Sequence, residues 1–339
     1  MAGSLDDEDR GVSSQKPHQA TILPRHRRSK LALWAVLSTI LILALALGLG
    51  LGFTLRRGHD GSPPKPSPTR PPTPTAVWQP EAGASWQIVL DQVLNIDGEN
   101  PAVEPDVGIF DIDMFLHQNS TVLANLHKLG KKVICYFSAG SFEPDRPDSY
   151  RFQQSDLGKP VKGWPGEHWL NLSSPSVREI MASRVEIASQ MGCDAIDPDN
   201  VDGYQNDNGW SLTSDDSVEF LEFLASKASE LNLAVGLKNA GDIISDVLPL
   251  VQFAVNEQCA QFDNCSPFRP FIKAGKPVFH IEYPHGAPSN VSAAESTDAC
   301  TSVGSSVGSI HFSTIMKSSK LDGWAQYCDG AKANTNVFS

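Results

Sequence analysis

Cys193-Asp194-Ala195-Ile196-Asp197-Pro198-Asp199-Asn200-Val201-Asp202-Gly203-Tyr204 is the stretch on which the reading of this chain turns. Ala195 and Ile196 have the apolar character of a buried strand's end, and they run straight into the carboxylates Asp197, Asp199 and Asp202, punctuated by Pro198 and Gly203. The strand is therefore expected to stop where the carboxylates begin. Like charges set this close resist burial, so the cluster must be solvated, neutralised by cations, bound to a metal or kept for acid–base work. A solvated acidic turn would satisfy the stretch taken alone. The rest of the chain argues against it, because other apolar runs end in the same way.

Strands are predicted near Trp86–Asp91, Val107–Asp113, Lys132–Ala139, Cys193–Asp197, Leu233–Lys238, Phe253–Glu257, Pro277–Tyr283 and Ser309–Thr314. Between them lie helical patterns at Ser120–Leu129, Ser176–Gln190 and Asp215–Leu231. In the last of these Val218, Leu221, Phe223, Leu224 and Ala228 recur at helical spacing, with Asp215 or Ser214 as the N-cap. Eight β units with intervening helices predict an α/β fold, a (β/α)8 TIM-like barrel over residues 78–339, whose near-continuous apolar strands are buried on both faces. A doubly wound open sheet is the alternative.

A barrel builds its site at the C-terminal ends of its strands. The residues closing the predicted strands are Asp111 and Asp113 on the second, Tyr136 and Ser138 on the third, and Asp197, Asp199 and Asp202 on the fourth. The fifth ends in Lys238 and Asn239, the sixth in Glu257, the seventh in Glu282 and Tyr283. Carboxylates thus close four separate strands, which solubility alone does not explain.

The N-terminal residues have a different character. Residues 1–30 read as a cytosolic tail. From Leu31 to Leu55 no charge interrupts the chain, enough as a helix for about 37 Å, against a bilayer core of roughly 30 Å. The span lies too far from the start and runs too long for a cleaved signal peptide, so a signal anchor is expected. Arg25, Arg27, Arg28 and Lys30 before it outweigh Arg56 and Arg57 after it, which favours a type II orientation with the C-terminal part lumenal or extracellular. Residues 56–77 are Pro/Ser/Thr-rich and read as an extended stalk. Acceptor sequons at Asn119, Asn171, Asn264 and Asn290 fit a secretory route, as do six cysteines. Cys259 with Cys265 and Cys300 with Cys328 are the expected disulfides. Cys135 and Cys193, inside apolar runs, read as buried free thiols.

From Trp78 to Ser339 there are 17 Lys and Arg against 34 Asp and Glu, so the barrel is more acidic than the whole-chain charge of −12 implies. That argues against nucleic acid as a partner and suits a cationic one. Three chemistries could use the acidic mouth. Oxygen-ligand metal sites cannot be identified from dispersed strand ends, and no EF-hand or HExxH pattern is present. A serine or cysteine hydrolase lacks its GxSxG elbow, and His280, His285 and His311 follow no triad pattern. Glycoside hydrolysis needs two carboxyl groups in different protonation states and aromatic walls for sugar rings. The mouth offers both, with Tyr136, Tyr204, Tyr283, Trp164 and Trp210 as candidate walls.

Four runs in order, Cys135-Tyr136-Phe137-Ser138-Ala139-Gly140-Ser141, Asp197 to Tyr204, Gly236-Leu237-Lys238-Asn239 and Asn256-Glu257-Gln258-Cys259, resemble glycoside hydrolase family 114. The resemblance covers roughly Trp78 to Gly330. It implies a TIM-barrel-like endo-α-1,4-polygalactosaminidase with Asp199 and Glu257 as catalytic carboxylates and no cofactor. With its anchor and stalk the chain resembles the fungal, membrane-anchored members that accompany galactosaminogalactan synthesis. Deacetylated galactosamine is a cation, so Asp111, Asp113, Asp202 and Glu282 are read as binders of its amine or hydroxyl groups, joined by Asp197, Tyr136, Tyr204, Asn239 and Tyr283. Lys238 either neutralises one acid or keeps the nucleophile ionised. A retaining mechanism is expected, with Asp199 as nucleophile and Glu257, beside apolar Phe253 and Val255, as an acid of raised pKa. The rival is a catalytically silent carbohydrate-binding barrel; in either case a monomer is expected.

Overall fold

The computed structural model describes residues 77–96, 98 and 101–338. Of the two units into which the chain divides, Met1–Thr69 and Arg70–Ser339, these residues belong to the second. The expected tail, membrane span and stalk, apart from Val77, lie outside them. Among the described residues no helix is long and apolar enough to cross a membrane.

In chain order the elements are β1 (Trp86–Val89), β2 (Ile109–Asp113), the short helix α1 (Met114–His117), α2 (Val122–Lys128) and β3 (Lys132–Ser138). Three small strands follow, β4 (Ser141–Phe142), β5 (Leu157–Pro160) and β6 (His168–Leu170), then α3 (Pro175–Met191), β7 (Ala195–Asp199), α4 (Ser214–Glu230) and β8 (Ala234–Lys238). The chain continues through α5 (Ile244–Val247), β9 (Phe253–Glu257), α6 (Arg269–Lys273), β10 (Val278–Glu282), α7 (Ala293–Cys300) and β11 (Ser313–Met316). It closes with β12 (Trp324–Tyr327) and β13 (Lys332–Asn334).

β1, β2, β3, β7, β8, β9, β10 and β11 are neighbours in that order and every pair is parallel, which is the strand sequence of a TIM-like barrel. The sheet curls until β1 meets β11. Among the described residues β1 and the residue after it are joined to β11 and the chain beyond it by a seam instead of a ladder. Trp86 Nε1 donates to Ser313 O at 2.7 Å, Tyr327 OH to Trp86 O at 3.1 Å, and Leu90 N to Leu321 O at 2.9 Å. The antiparallel pair β12–β13 stands where an eighth helix was expected, and β4, β6 and β5 form a separate small sheet.

Alternation along the strands makes two cores. All eight parallel strands send apolar side chains inward, among them Trp86, Ile109, Ile134, Ala195, Ala234, Phe253, Phe279 and Ile315. The intervening residues, such as Phe110, Val133, Phe137, Ile196 and Leu237, meet the buried faces of α2, α3 and α4. A Cβ on Gly236 would lie 2.3 Å from the Phe253 ring, so the interior holds that ring only beside a residue without a side chain.

Four expectations need correction. The strand before the carboxylate cluster does not stop at it: β7 runs to Asp199, because β3 keeps pairing through Tyr136↔Asp197 and Ser138↔Asp199, while the ladder to β8 ends at Ile196, before proline's missing donor matters. The last parallel strand begins at Ser313, four residues later than expected, because Ile310 points to solvent and His311 turns the chain at φ 67°. The cap of α4 is Thr213, whose hydroxyl accepts from Asp216 N while the Asp216 carboxylate accepts from Thr213 N. Cys135 and Cys193 are disulfide-bonded, with Cα atoms 6.0 Å apart, since adjacency of β3 and β7 brings two buried thiols together on the helix-facing side. Cys259–Cys265 and Cys300–Cys328 are bonded as expected.

Candidate active site

At the C-terminal mouth, Lys238 at the end of β8 lies between two carboxylates on its flanking strands. Its Nζ is 3.0 Å from Asp199 Oδ2 and 3.5 Å from Glu257 Oε2, and the side chain is only 2% exposed. The ammonium also sits over the Tyr136 ring, 5.4 Å from its centroid. Asp199 accepts from Tyr136 OH at 3.1 Å and from Asn200 N at 2.7 Å. Glu257 accepts from Asn239 Nδ2 at 3.2 Å and from Tyr283 OH, while Asn239 Oδ1 accepts from Glu257 N at 2.9 Å. Each carboxylate is thus aimed by donors on neighbouring strands, which is how parallel register builds a site from distant residues.

Burial alone would depress the Lys238 pKa, but Asp199, Glu257 and Asp197 outweigh it and raise it well above an ordinary lysine's. Burial pushes Glu257 up, yet Lys238, Tyr283 and Asn239 together bring it below the usual range. The raised pKa expected for this residue is therefore absent from the substrate-free site: the apolar Phe253 and Val255 lie deeper in the barrel, and the carboxylate reaches past them to three donors. Beneath the pair, Asp111 and Asp197 are wholly buried and none of their four carboxylate oxygens has a protein donor. Burial drives both up, with the charge of Asp197 adding to it for Asp111 and Lys238 opposing it for Asp197.

The cleft above holds about 400 Å³. Its floor is Tyr136, Asp199, Lys238, Asn239 and Glu257, and one wall comes from the segment between β3 and α3, with Glu143, Arg146, Trp164, Glu167 and Trp169. That wall is pressed against the chain after β7: a Cβ on Gly140 would stand 1.8 Å from Asn200 O. Asp202 lines the cleft too, where burial and then Asp199 raise it to about 6.

The predicted site residues divide by placement. Asp199, Glu257, Lys238, Asn239, Tyr136, Asp113 and Asp202 line one cleft. Tyr283 joins them through Glu257. Asp113 is already engaged, capping α1 through Leu116 N and pairing with Arg146 at 2.7 Å. Asp111 and Asp197 are a layer below, and Tyr204 is turned to Asp242, which accepts its hydroxyl. Glu282 faces away from the interior: it accepts from Ala260 N at 2.7 Å and lies 2.8 Å from His280 Nε2. With Tyr283, His285, Glu295 and Asp298 it lines a neighbouring cleft of about 420 Å³. Strand alternation could have shown that Glu282 and Tyr283 cannot both face the mouth. Arg146, Glu143 and Glu167 were missed, because their loop gives no strand-end signal.

Two carboxylates held on either side of one cation, at the mouth of a barrel with an aromatic-lined cleft, define a glycoside hydrolase. The sequence matches the model of glycoside hydrolase family GH114 over residues 67–333, and the chain belongs to that family. Among solved structures it is similar to Aspergillus fumigatus Ega3, crystallised in complex with galactosamine. The identity is 49% and the TM-score 0.68, over 75% of this chain and 98% of that one. It is also similar in fold to the glycoside hydrolase domain of PelA from Pseudomonas aeruginosa, at 13% identity and a TM-score of 0.51, over 75% and 99% of the two chains. A comparison with curated proteins gives no match.

Proposed function

We propose that this enzyme, an endo-α-1,4-polygalactosaminidase, cleaves galactosamine linkages in a cationic, partly deacetylated polysaccharide with retention of configuration. The bridging lysine carries the reading. Because Asp199 and Glu257 both reach one ammonium, their facing oxygens lie no further apart than 3.0 and 3.5 Å laid end to end. Only a straight alignment through the ammonium would reach the ~6.5 Å at which room for an attacking water begins, and any bend there brings the pair towards the roughly 5–5.5 Å of retaining enzymes. The similarity to Ega3 with its galactosamine supports the sugar, and the excess of acidic residues supports a cationic chain.

Asp199 attacks the anomeric carbon while Glu257 protonates the leaving oxygen, and Glu257 then activates a water that displaces Asp199 and frees the sugar from the glycosyl-enzyme. Glu257 is the more exposed of the two, 24% against 17%. Sugar covering the cleft therefore strips more solvent from it and raises its pKa towards what an acid requires. Asp199→Asn and Glu257→Gln should each lower kcat by at least about 10³-fold with the melting temperature preserved. The first-formed product, followed by NMR, should carry the α configuration. Near-normal turnover in either variant removes its assigned role, and a β product makes Asp199 a base or stabiliser instead.

The enzyme works as a monomer on a single-pass type II anchor, residues 31–55, with the barrel extracellular or lumenal beyond a stalk. Three disulfides and exposed sequon asparagines at 119, 264 and 290 support an oxidising, glycosylating route.

A further inference from the structure

Four of the carboxylates lining the cleft share two cations. Lys238 serves Asp199 and Glu257. Arg146 serves Asp113 at 2.7 Å and Glu143 through two hydrogen bonds of 2.7 and 2.8 Å. Glu167 is left over: among the described residues it receives Ser141 Oγ at 3.1 Å and makes no ion pair. Among the described residues Asp202, deeper in, and Asp91 on the rim also make no ion pair, and Lys162 and Lys320, exposed on the rim, make none either.

Glu167 ends a tight turn that begins at Val161. Val161 N donates to Glu167 O at 2.9 Å, and Trp164 N and Glu167 N donate to Val161 O and Trp164 O at 3.2 Å. The same turn carries Trp164, 61% exposed yet lining the same cleft. The turn is registered to the catalytic strand, since Ser141 Oγ lies 3.1 Å from Glu167 Oε2 and 3.2 Å from Oδ1 of Asn200, the residue after Asp199. An exposed indole at a cleft wall offers an apolar face on which a sugar's C–H face can stack. A carboxylate three residues along suits an ammonium on the same ring.

Resting on the substrate proposed above, we infer that Trp164 and Glu167 form a subsite selecting a galactosamine unit with an unacetylated amine. Trp164 covers the ring and Glu167 accepts from the ammonium. Burial and the charges of Glu143 and Asp199 hold the Glu167 carboxyl up at about 7, and an arriving ammonium relieves that repulsion.

The test is steady-state kinetics of the full-length enzyme on deacetylated and partly N-acetylated galactosamine polymers across a salt series. Glu167→Gln should raise KM on the deacetylated polymer about tenfold, the scale of one charge-assisted hydrogen bond, and flatten the dependence of kcat/KM on salt. Glu167→Asp should recover part of the loss, and Trp164→Ala should raise KM on both polymers. If Glu167→Gln binds and discriminates as the wild type does, or loses kcat with KM unchanged, the subsite is overturned, the second result making Glu167 part of the proton transfer. A wild-type enzyme that leaves the polymer uncut overturns the proposed substrate and the subsite with it.

Discussion

Lys238 gives the site its electrical character. A single ammonium, buried and facing Asp199 and Glu257, keeps Glu257 below its ordinary pKa before substrate arrives. The sign of the pH effect follows. A depressed pKa means the acid form exists only below that low value in the free enzyme, and loss of solvent under a bound sugar moves it upward. Since kcat/KM reports the free enzyme and kcat the complex, the alkaline limb of kcat should lie at higher pH than that of kcat/KM. Coincident limbs, or a kcat limb at lower pH, would contradict Glu257 as the acid. A second titration belongs to Asp202, raised to about 6 by burial and by Asp199. Its charge is present above that value and lost below it, so KM for a cationic polymer should rise as the pH falls from about 7 to about 5.

Three successive strands end in the same manner. Asp199, Lys238 and Glu257 are each followed by a residue in the left-handed region: Asn200 at φ 62°, Asn239 at φ 49° and Gln258 at φ 62°. The turn stops each strand so that its last side chain reaches the mouth, and two of the following residues bond back to the carboxylates of Asp199 and Glu257. Such conformations cost about 1–2 kcal/mol for a residue with a side chain, less for asparagine, and their concentration here marks the functional rim. β3 and β7, which carry Tyr136 and Asp199, are further tied by Cys135–Cys193 across 58 residues. Replacing both cysteines with serine should cost about 2–4 kcal/mol of stability. Thermal unfolding of the oxidised wild type against the double variant measures it, and an unchanged melting temperature would mean the bond contributes nothing to the fold.

For the whole molecule, the acidic excess of the barrel region should act over distances longer than contacts. Raising ionic strength from about 0.05 to about 0.5 M shortens the screening length from roughly 14 to 4 Å, so substrate binding should weaken while kcat changes little. Residues before Trp78 contribute no strand to the described sheet. A chain beginning near Trp78 should therefore fold and turn over polymer as the full chain does. Aggregation of the truncated chain, with the full chain active in detergent, would place the boundary of the folded unit elsewhere.

Much of this protein was legible along the chain. Apolar runs such as Phe253–Glu257 and Lys132–Ser138 report strands, since alternate burial leaves its mark on consecutive residues. Family motifs singled out Asp199 and Glu257, a short loop suggested the Cys259–Cys265 bond, and a shared place near the C-terminus suggested Cys300–Cys328. What tertiary structure alone decided is which groups meet. The Cys135–Cys193 bond exists because β3 and β7 are neighbours. The low pKa of Glu257 comes from Lys238, Asn239 and Tyr283 on two other strands and the turns after them. The cleft wall bearing Arg146, Trp164 and Glu167 is placed by contacts such as Gly140 against Asn200, sixty residues apart. Local sequence records each residue's burial and propensity; charge balance, hydrogen-bond partners and pKa are properties of groups brought together by register and loop closure, and no stretch of chain contains them.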